Sequence, residues 1–393
     1  METVANVWNY AWPFLVTISV IVFVHELGHY LIARLNKVRV EVFSIGFGPE
    51  LVGFNDSHGT RWKISALPLG GYVKFFGDAN AASGAKDERT LTALTDEERR
   101  GSFHHKRVGQ RAAIVVGGPL GNFIFAAIVL AILAGVVGER YSAPTIDQVM
   151  PGGAAEVAGL TSGDRIVEID GKPIETFEQV QEIVVGNDGT PLNLVVLRNN
   201  AQQSFVLTPK EIVETDSFGN ETKVRRLGVS RGPAEFRDVG VGQAIWAGIR
   251  DTYNVAASSL TAIGEMIVGK RSTDELGGPV KIGYMAGKIA QDGALIDLVL
   301  LVALLSVSLG LINLFPVPML DGGHLIFYLW EGIVGRPLKP RIQEYSLRVG
   351  FVLVIALMVW VTSKDIIWQV KSGSSSGTES QKTEAEPSGT APK

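Results

Sequence analysis

Charge is nearly absent from four stretches of the chain. Residues 3–24 are uncharged, and the apolar pattern continues past His25 and Glu26 to Ala33. Residues 112–138 form an uncharged run of 27, residues 298–320 one of 23, and residues 349–363 one of 15 that Tyr345, Leu347 and Ile366 extend. A bilayer core of about 30 Å is crossed by roughly 20 helical residues. The pattern therefore predicts a polytopic α-helical membrane protein with about four transmembrane helices. The first run has no basic flank, its first Lys or Arg being Arg34, and no convincing small-residue cleavage site. It reads as a retained helix rather than a signal peptide.

The segments between the runs set the organisation. The loop after the first span carries Arg34, Lys37, Arg39, Arg61, Lys63 and Lys74, and later Arg107 and Arg111; the third-to-fourth loop carries Arg336, Lys339 and Arg341. The positive-inside rule makes both cytoplasmic, and leaves the two termini and the segment between spans 2 and 3 outside the cytosol. That segment has short β-rich runs at 165–170, 192–198 and 203–208, turn signals at Asp170-Gly171 and Asn199-Asn200, and helical spacing over 176–185. Residues 244–268 alternate apolar groups with Arg250, Asp251 and Glu265 at helical spacing, which suits a surface helix better than a span, and Leu276-Gly-Gly-Pro-Val280 interrupts the pattern. The expected divisions are 1–139 (spans 1 and 2), 140–232 (a mixed α/β domain), 233–295 (an amphipathic connector), 296–368 (spans 3 and 4) and 369–393, a Ser/Gly/Glu/Pro-rich tail expected to be disordered.

Composition narrows the chemistry. Hydrophobic residues reach 46% and charged residues only 19%, and the net charge of −4 gives no sign of nucleic-acid binding. With no cysteine, a disulfide scaffold, a thiolate zinc site and a cysteine nucleophile are excluded. A transition-metal site must then draw on the six histidines and on carboxylates.

His25-Glu26-Leu27-Gly28-His29 supplies such a site. On a helix, positions i and i+4 share a face, so both imidazoles reach one zinc ion, with the intervening glutamate beside them as general base. Ionisable residues this deep in an apolar helix are costly without partners. Zinc ordinarily takes a third protein ligand. The candidate is Asp321, after Asn313-Leu-Phe-Pro316-Val-Pro318-Met-Leu, where two prolines cannot continue the helix. Of the other histidines, His104 and His105 are expected at the surface, His58 in a solvent-facing turn, and His324 near Asp321 as a supporting group.

Two resemblances follow. Val149-Met-Pro-Gly-Gly-Ala-Ala-Glu-Val-Ala-Gly-Leu160, followed by Gly163-Asp164-Arg165-Ile166, resembles a PDZ domain of the bacterial protease type. Such a fold captures a C-terminus or an extended strand, here with Ala158, Gly159 and Leu160 as groove candidates. The His-Glu-x-x-His motif together with Asn-x-x-Pro-x-Pro-x-x-Asp-Gly resembles the site-2 proteases, intramembrane zinc metalloproteases, and in particular their bacterial RseP type. Gly46-Phe-Gly-Pro49, Pro68-Leu-Gly-Gly-Tyr-Val-Lys-Phe75, Gln110-Arg-Ala-Ala-Ile114 and Gly118-Pro119-Leu-Gly-Asn122-Phe123 carry the similarity across the chain to about residue 365. The RseP arrangement has two tandem PDZ domains; this chain has room for one.

The resemblance implies Zn2+ held by His25, His29 and Asp321, Glu26 as catalytic base, and Asn313, Asn122, Gly70 and Gly71 near the substrate. It implies that residues 38–76 form a membrane-re-entrant β-hairpin. It further implies an inner-membrane enzyme with its active site towards the cytoplasm. Its substrates would be single-pass proteins already shortened outside the membrane, such as anti-sigma-factor-like proteins, or signal-peptide remnants. A peptide in the PDZ groove and membrane lipid are the other implied partners. Two readings of the same residues compete: a divalent-metal transporter using the three ligands in transit, and a PDZ-bearing scaffold with an inactive core. The absence of an inverted repeat weighs against the first, and the intact Glu26 against the second.

Overall fold

The computed structural model describes residues 2–78, 94–215, 221–232, 235–273 and 276–383. The chain divides into two compact units, one of residues 1–130, 251–259 and 274–393, the other of residues 131–250 and 260–273.

The first unit opens with α1 (Glu2–Leu35), followed by β1 (Val40–Asn55), β2 (Arg61–Phe75), α2 (Asp96–Gly101) and the start of α3 (Val108–Val137). Four helices are long and apolar enough to cross a membrane: Trp8–Leu35, Val108–Val137, Leu295–Asn313 and Pro340–Ile367. These are the four runs of the sequence, and the membrane character of the protein rests on them. On α3, Leu120, Ile124, Ile128, Ile132 and Val136 form an exposed apolar stripe at a spacing of four, which has no business in water.

The β1–β2 segment is more than a simple hairpin. Residues 42–45 of β1 pair on one side with Arg61–Ile64 and on the other with Gly71–Lys74. Phe43 stacks on Trp62 at 4.1 Å and packs with Tyr30, Ala33, Val38 and Ile114 in a buried core. Asp56 holds the turn between the strands: its two carboxylate oxygens accept from the amides of His58 and Thr60, the Tyr30 hydroxyl and the Trp62 indole at 2.8–3.0 Å. His58 is exposed there, as expected.

The second unit adds β3 (Glu139–Tyr141), β4 (Ile146–Val149), α4 (Ala154–Val157), β5 (Arg165–Ile169), β6 (Lys172–Pro173), α5 (Phe177–Val185), β7 (Leu192–Arg198), β8 (Ala201–Leu207), β9 (Lys210–Thr215), β10 (Glu221–Arg226), β11 (Val229–Arg231) and β12 (Glu235–Arg237). Four strands form a sheet in the order β6-β5-β7-β8, all neighbours antiparallel. Asn199 and Asn200 both take positive φ, 49° and 65°, the conformation a two-residue hairpin turn demands. At the start of α5, Gln179 Oε1 accepts from the amides of Glu175 and Thr176 at 2.8 and 3.3 Å. Ile146, Leu160, Ile166, Val180, Leu194 and Val196 lie in one core.

The chain continues through α6 (Val241–Ile267), α7 (Pro279–Gln291), α8 (Leu295–Asn313), α9 (Asp321–Val334) and α10 (Pro340–Thr383). The uncharged run over 298–320 breaks at its prolines, as their chemistry requires: α8 stops at Asn313, and Pro316 and Pro318 occupy a turn before α9. Asp365, buried on α10, accepts from the amides of Gly278 and Lys281 at 3.1 and 3.0 Å and so caps α7 across the fold. Helix α10 runs to Thr383, into the stretch expected to be a disordered tail; residues 384–393 lie outside the described residues.

Candidate metal centre

Helical geometry alone puts His25 and His29 on one face of α1, and their Nε2 atoms lie 3.2 Å apart with the rings at 89°. The third group comes from the other end of the chain. Pro316 and Pro318 turn the backbone, Met319 takes a φ of 90°, and Asp321 starts α9. At a helix N-terminus a carboxylate is favoured by the helix dipole. Asp321 Oδ2 lies 3.2 Å from His25 Nε2 and 3.5 Å from His29 Nε2. Non-glycine residues with positive φ are uncommon, and Met319 stands two residues before this carboxylate.

The three atoms fit a zinc ion. Zinc–nitrogen and zinc–oxygen bonds of about 2.0–2.2 Å in a tetrahedron separate the donors by roughly 3.3–3.5 Å, close to the separations here. Asp321 Oδ2 is also a buried atom that makes no hydrogen bond. A buried carboxylate oxygen without a donor is expensive, and a shared cation removes the cost. Among the described residues this is the one group of three or more His and carboxylate side chains whose ligand atoms converge.

Glu26 projects beside the cluster. It lines a cavity of about 360 Å³ with His25, His29, Asn313, Asp321 and His324. Gly71, Tyr72 and Val73 of β2 line the same space. The strand passes so close that a Cβ on Gly71 would lie 3.0 Å from Glu26 Cγ. Gly70 keeps a positive φ of 102° beside the Phe47 ring, so it shapes the strand's entry into the cavity without lining it. Asn313, at the end of α8, brings Nδ2 within 3.5 Å of His25 Nε2. Asn122 is completely buried on α3, with its side chain beside His25.

Helix α3 presses against this face of α1 through glycine. A Cβ on Gly28 would meet the Gly117 carbonyl at 2.1 Å, and one on Gly118 would meet His29 Nε2 at 2.3 Å. Any side chain at Gly118 would displace the imidazoles.

Several positions differ from expectation. His104 is not at the surface: its side chain is 7% exposed and lies 2.8 Å from Asp78, which itself lines the cavity. The reason is tertiary. The Gly101 carbonyl accepts from the Arg39 amide, and Phe103 stacks on Phe75 at 4.9 Å, which folds the segment onto the end of β2. His105 is exposed as expected. His324 lines the cavity and packs edge-on against Phe327 rather than bonding Asp321. Sequence reasoning missed Asp78 and Tyr328, and also Arg111, whose Nη2 lies 2.6 Å from Glu331 and whose guanidinium covers the Tyr328 ring.

In the second unit, the loop of Ala158, Gly159 and Leu160, the expected groove residues, is engaged within the unit itself. The Leu160 side chain is buried in the core, and the amides of Gly159 and Leu160 already donate to the carbonyls of Glu156 and Ala155. Neither amide is free to bind a carboxylate. Arg198 holds this loop from below. Its Nε and Nη2 contact the two oxygens of Asp164 at 2.7 Å, and Nη2 also donates to the Gly159 carbonyl. Burial opposes ionisation of Asp164, but the Arg198 guanidinium and the Thr161 amide outweigh it and hold the carboxyl below the usual range.

The sequence pattern of peptidase family M50 matches residues 13–357. The chain belongs to peptidase family M50. It is 42% identical over 362 residues to an Agrobacterium fabrum protein named “Putative zinc metalloprotease”, covering 91% of this chain and 96% of the other. A Mesorhizobium japonicum protein of the same designation is 44% identical over 359 residues, covering 90% and 97%. “Metalloprotease MmpA” of Caulobacter vibrioides is 34% identical over 374 residues, covering 90% and 94%. This M50 peptidase is thus a zinc metalloprotease, with Zn2+ as its cofactor.

Proposed function

We propose that this zinc metalloprotease hydrolyses peptide bonds inside the membrane-spanning segments of single-pass proteins, with His25, His29 and Asp321 as metal ligands and Glu26 as base. The observation that carries the reading is the convergence of His25 Nε2, His29 Nε2 and Asp321 Oδ2 within 3.2–3.5 Å of one another, beside Glu26, on helices apolar enough to span a bilayer.

Bound there, zinc acidifies water and polarises a carbonyl. The chain's own residues do the rest. Glu26 takes a proton from water and returns it to the departing amine, the two halves of general acid–base catalysis. Asn313 offers its amide hydrogens beside the centre to a substrate carbonyl. A substrate helix hides its peptide bonds in internal hydrogen bonds and must unwind to present one. Residues 71–75 are paired to β1 on one side, and among the described residues no strand takes the other. An unwound segment added to that edge recovers the backbone hydrogen bonds it lost, which in lipid is a strong requirement. We therefore read β1–β2 as the membrane-re-entrant element.

The second unit is read as a PDZ domain on the extracytoplasmic side of a bacterial inner membrane, with both termini on that side and the active site towards the cytoplasm. Its loop at 158–160 has its amides already engaged, which favours a screen on bulky ectodomains over a receptor for free C-termini at that loop. Screening by size admits proteins that an earlier protease has shortened, as regulated intramembrane proteolysis requires, and anti-sigma-factor-like proteins or signal-peptide remnants suit it.

The test is cleavage of single-pass reporters with long and short ectodomains in proteoliposomes. Wild type should cut the short form within its span. Glu26→Gln should keep its zinc and lose about 10²–10⁴-fold in rate, the usual contribution of a general base. Cleavage by Glu26→Gln at the wild-type rate would refute the mechanism.

A further inference from the structure

The two histidines differ in what holds their far nitrogens. His29 Nδ1 lies 2.9 Å from the Ile114 carbonyl, to which an Nδ1–H donates, leaving Nε2 bare towards Asp321. His25 also turns Nε2 to the shared point, 3.2 Å from both His29 Nε2 and Asp321 Oδ2. An imidazole that binds a metal through Nε2 carries its proton on Nδ1, and that N–H requires an acceptor when buried.

The group facing His25 Nδ1 is the side-chain amide of Asn122, at 3.4 Å. With Nδ2 turned towards the ring, two donors meet, and Asn122 Oδ1 is left buried without any hydrogen-bond partner. The two ends of a carboxamide are nearly the same size, and a half-turn exchanges them. That half-turn gives the orphaned oxygen a donor and the imidazole an acceptor together.

We propose that Asn122 is a positioning residue of the metal centre, accepting at Oδ1 a hydrogen bond from His25 Nδ1–H and so fixing that ligand's tautomer and ring orientation. The proposal rests on the ligand assignment above. It replaces the expectation that Asn122 touches substrate, because the residue is 0% exposed.

The placement along α3 is regular. Ile114, Gly118 and Asn122 are spaced by four and share one face. The first supplies the carbonyl that orients His29, the second the bare backbone on which both rings lie, and the third the acceptor for His25. The Asn122 carbonyl in turn accepts from the Ser306 hydroxyl at 3.1 Å, which pins this face of α3 to α8. One helix thus sets the orientation of both imidazoles.

The experiment measures zinc affinity of the full-length protein in detergent by competition with a chelator, for wild type and for Asn122→Leu, Asn122→Asp and His25→Ala. Leucine keeps the volume and removes the acceptor; aspartate keeps the acceptor and buries a charge. Removing such a support typically weakens metal binding about 10–100-fold, so Asn122→Leu should show that loss while Asn122→Asp stays near wild type or binds tighter. A packing role predicts the reverse order, since an apolar interface accepts leucine and rejects a carboxylate. Wild-type affinity in Asn122→Leu, or a larger loss in Asn122→Asp than in Asn122→Leu, would overturn the proposal. His25→Ala separates the two layers: if it loses zinc while Asn122→Leu does not, only the Asn122 role falls, and if it too binds like wild type, the ligand assignment falls first. A measurement without variants backs this up. In zinc-loaded protein with ¹⁵N-labelled histidine, His25 Nδ1 should be protonated; a bare Nδ1 would overturn the role even if Asn122→Leu failed to fold.

Discussion

At the scale of single residues, the centre divides by how far apart its members lie in the chain. His25, Glu26 and His29 are legible from sequence because a helix turns local spacing into a shared face. Asp321 needs the extra observation that Pro316 and Pro318 end a helix beside it. The Ile114 carbonyl has no signature at all, since every residue has one, and the Asp78–His104 pair depends on a loop folding back onto β2. The second unit offers a prediction at this scale. Asp164 is held below the ordinary carboxylate value of about 3.9. A depressed native pKa contributes stability that is present above the unfolded value and lost as pH falls through the folded one. Hydrogen-exchange protection factors over 140–232 in the full-length protein, observed rates divided by the intrinsic rate at each pH, should therefore fall as pH drops below about 4. Asp164→Asn should flatten that acid limb; an unchanged limb would show that the Asp164–Arg198 pair is not its source.

At the scale of elements, apolar runs and turn chemistry were readable. The four spans, helix α5 and the Asn199-Asn200 turn all fall where hydrophobic period and residue type place them. The double pairing of β1 was not readable, because which strand lies beside 42–45 is decided by burial of Phe43 against Trp62 and Tyr30, contacts remote in sequence. The engagement of the loop at 158–160 was not readable for a related reason: a glycine-rich loop looks free in sequence, whereas its amides are spent on capping α4. The Leu276-Gly-Gly-Pro-Val280 break gains a cause here, since Asp365 caps the helix that starts after it. Replacing a capping carboxylate by alanine typically costs about 0.5–2 kcal/mol. Asp365→Ala should lower the denaturation midpoint accordingly and speed exchange within α7, whereas Asp365→Asn, which keeps an acceptor, should do less. Unaltered exchange in α7 would remove the cap from the account.

At the scale of the whole molecule, the proposed orientation of the two compact units and four candidate spans about a bilayer rests on loop charge. Because the chain has no cysteine, single cysteines report topology without background. In intact cells, Glu182→Cys should react with a membrane-impermeant maleimide, and Lys339→Cys only after permeabilisation. The opposite pattern would invert the proposed orientation and put the second unit in the cytosol.

The centre itself is most directly tested by X-ray absorption at the zinc edge on the purified full-length protein. Two imidazole nitrogens and a carboxylate oxygen at about 2.0–2.2 Å should surround the metal. His25→Ala should remove one imidazole from that shell or empty the site, and Asp321→Ala should remove the carboxylate or do the same. A zinc shell unchanged by both substitutions would contradict the assignment of His25, His29 and Asp321 as the metal site.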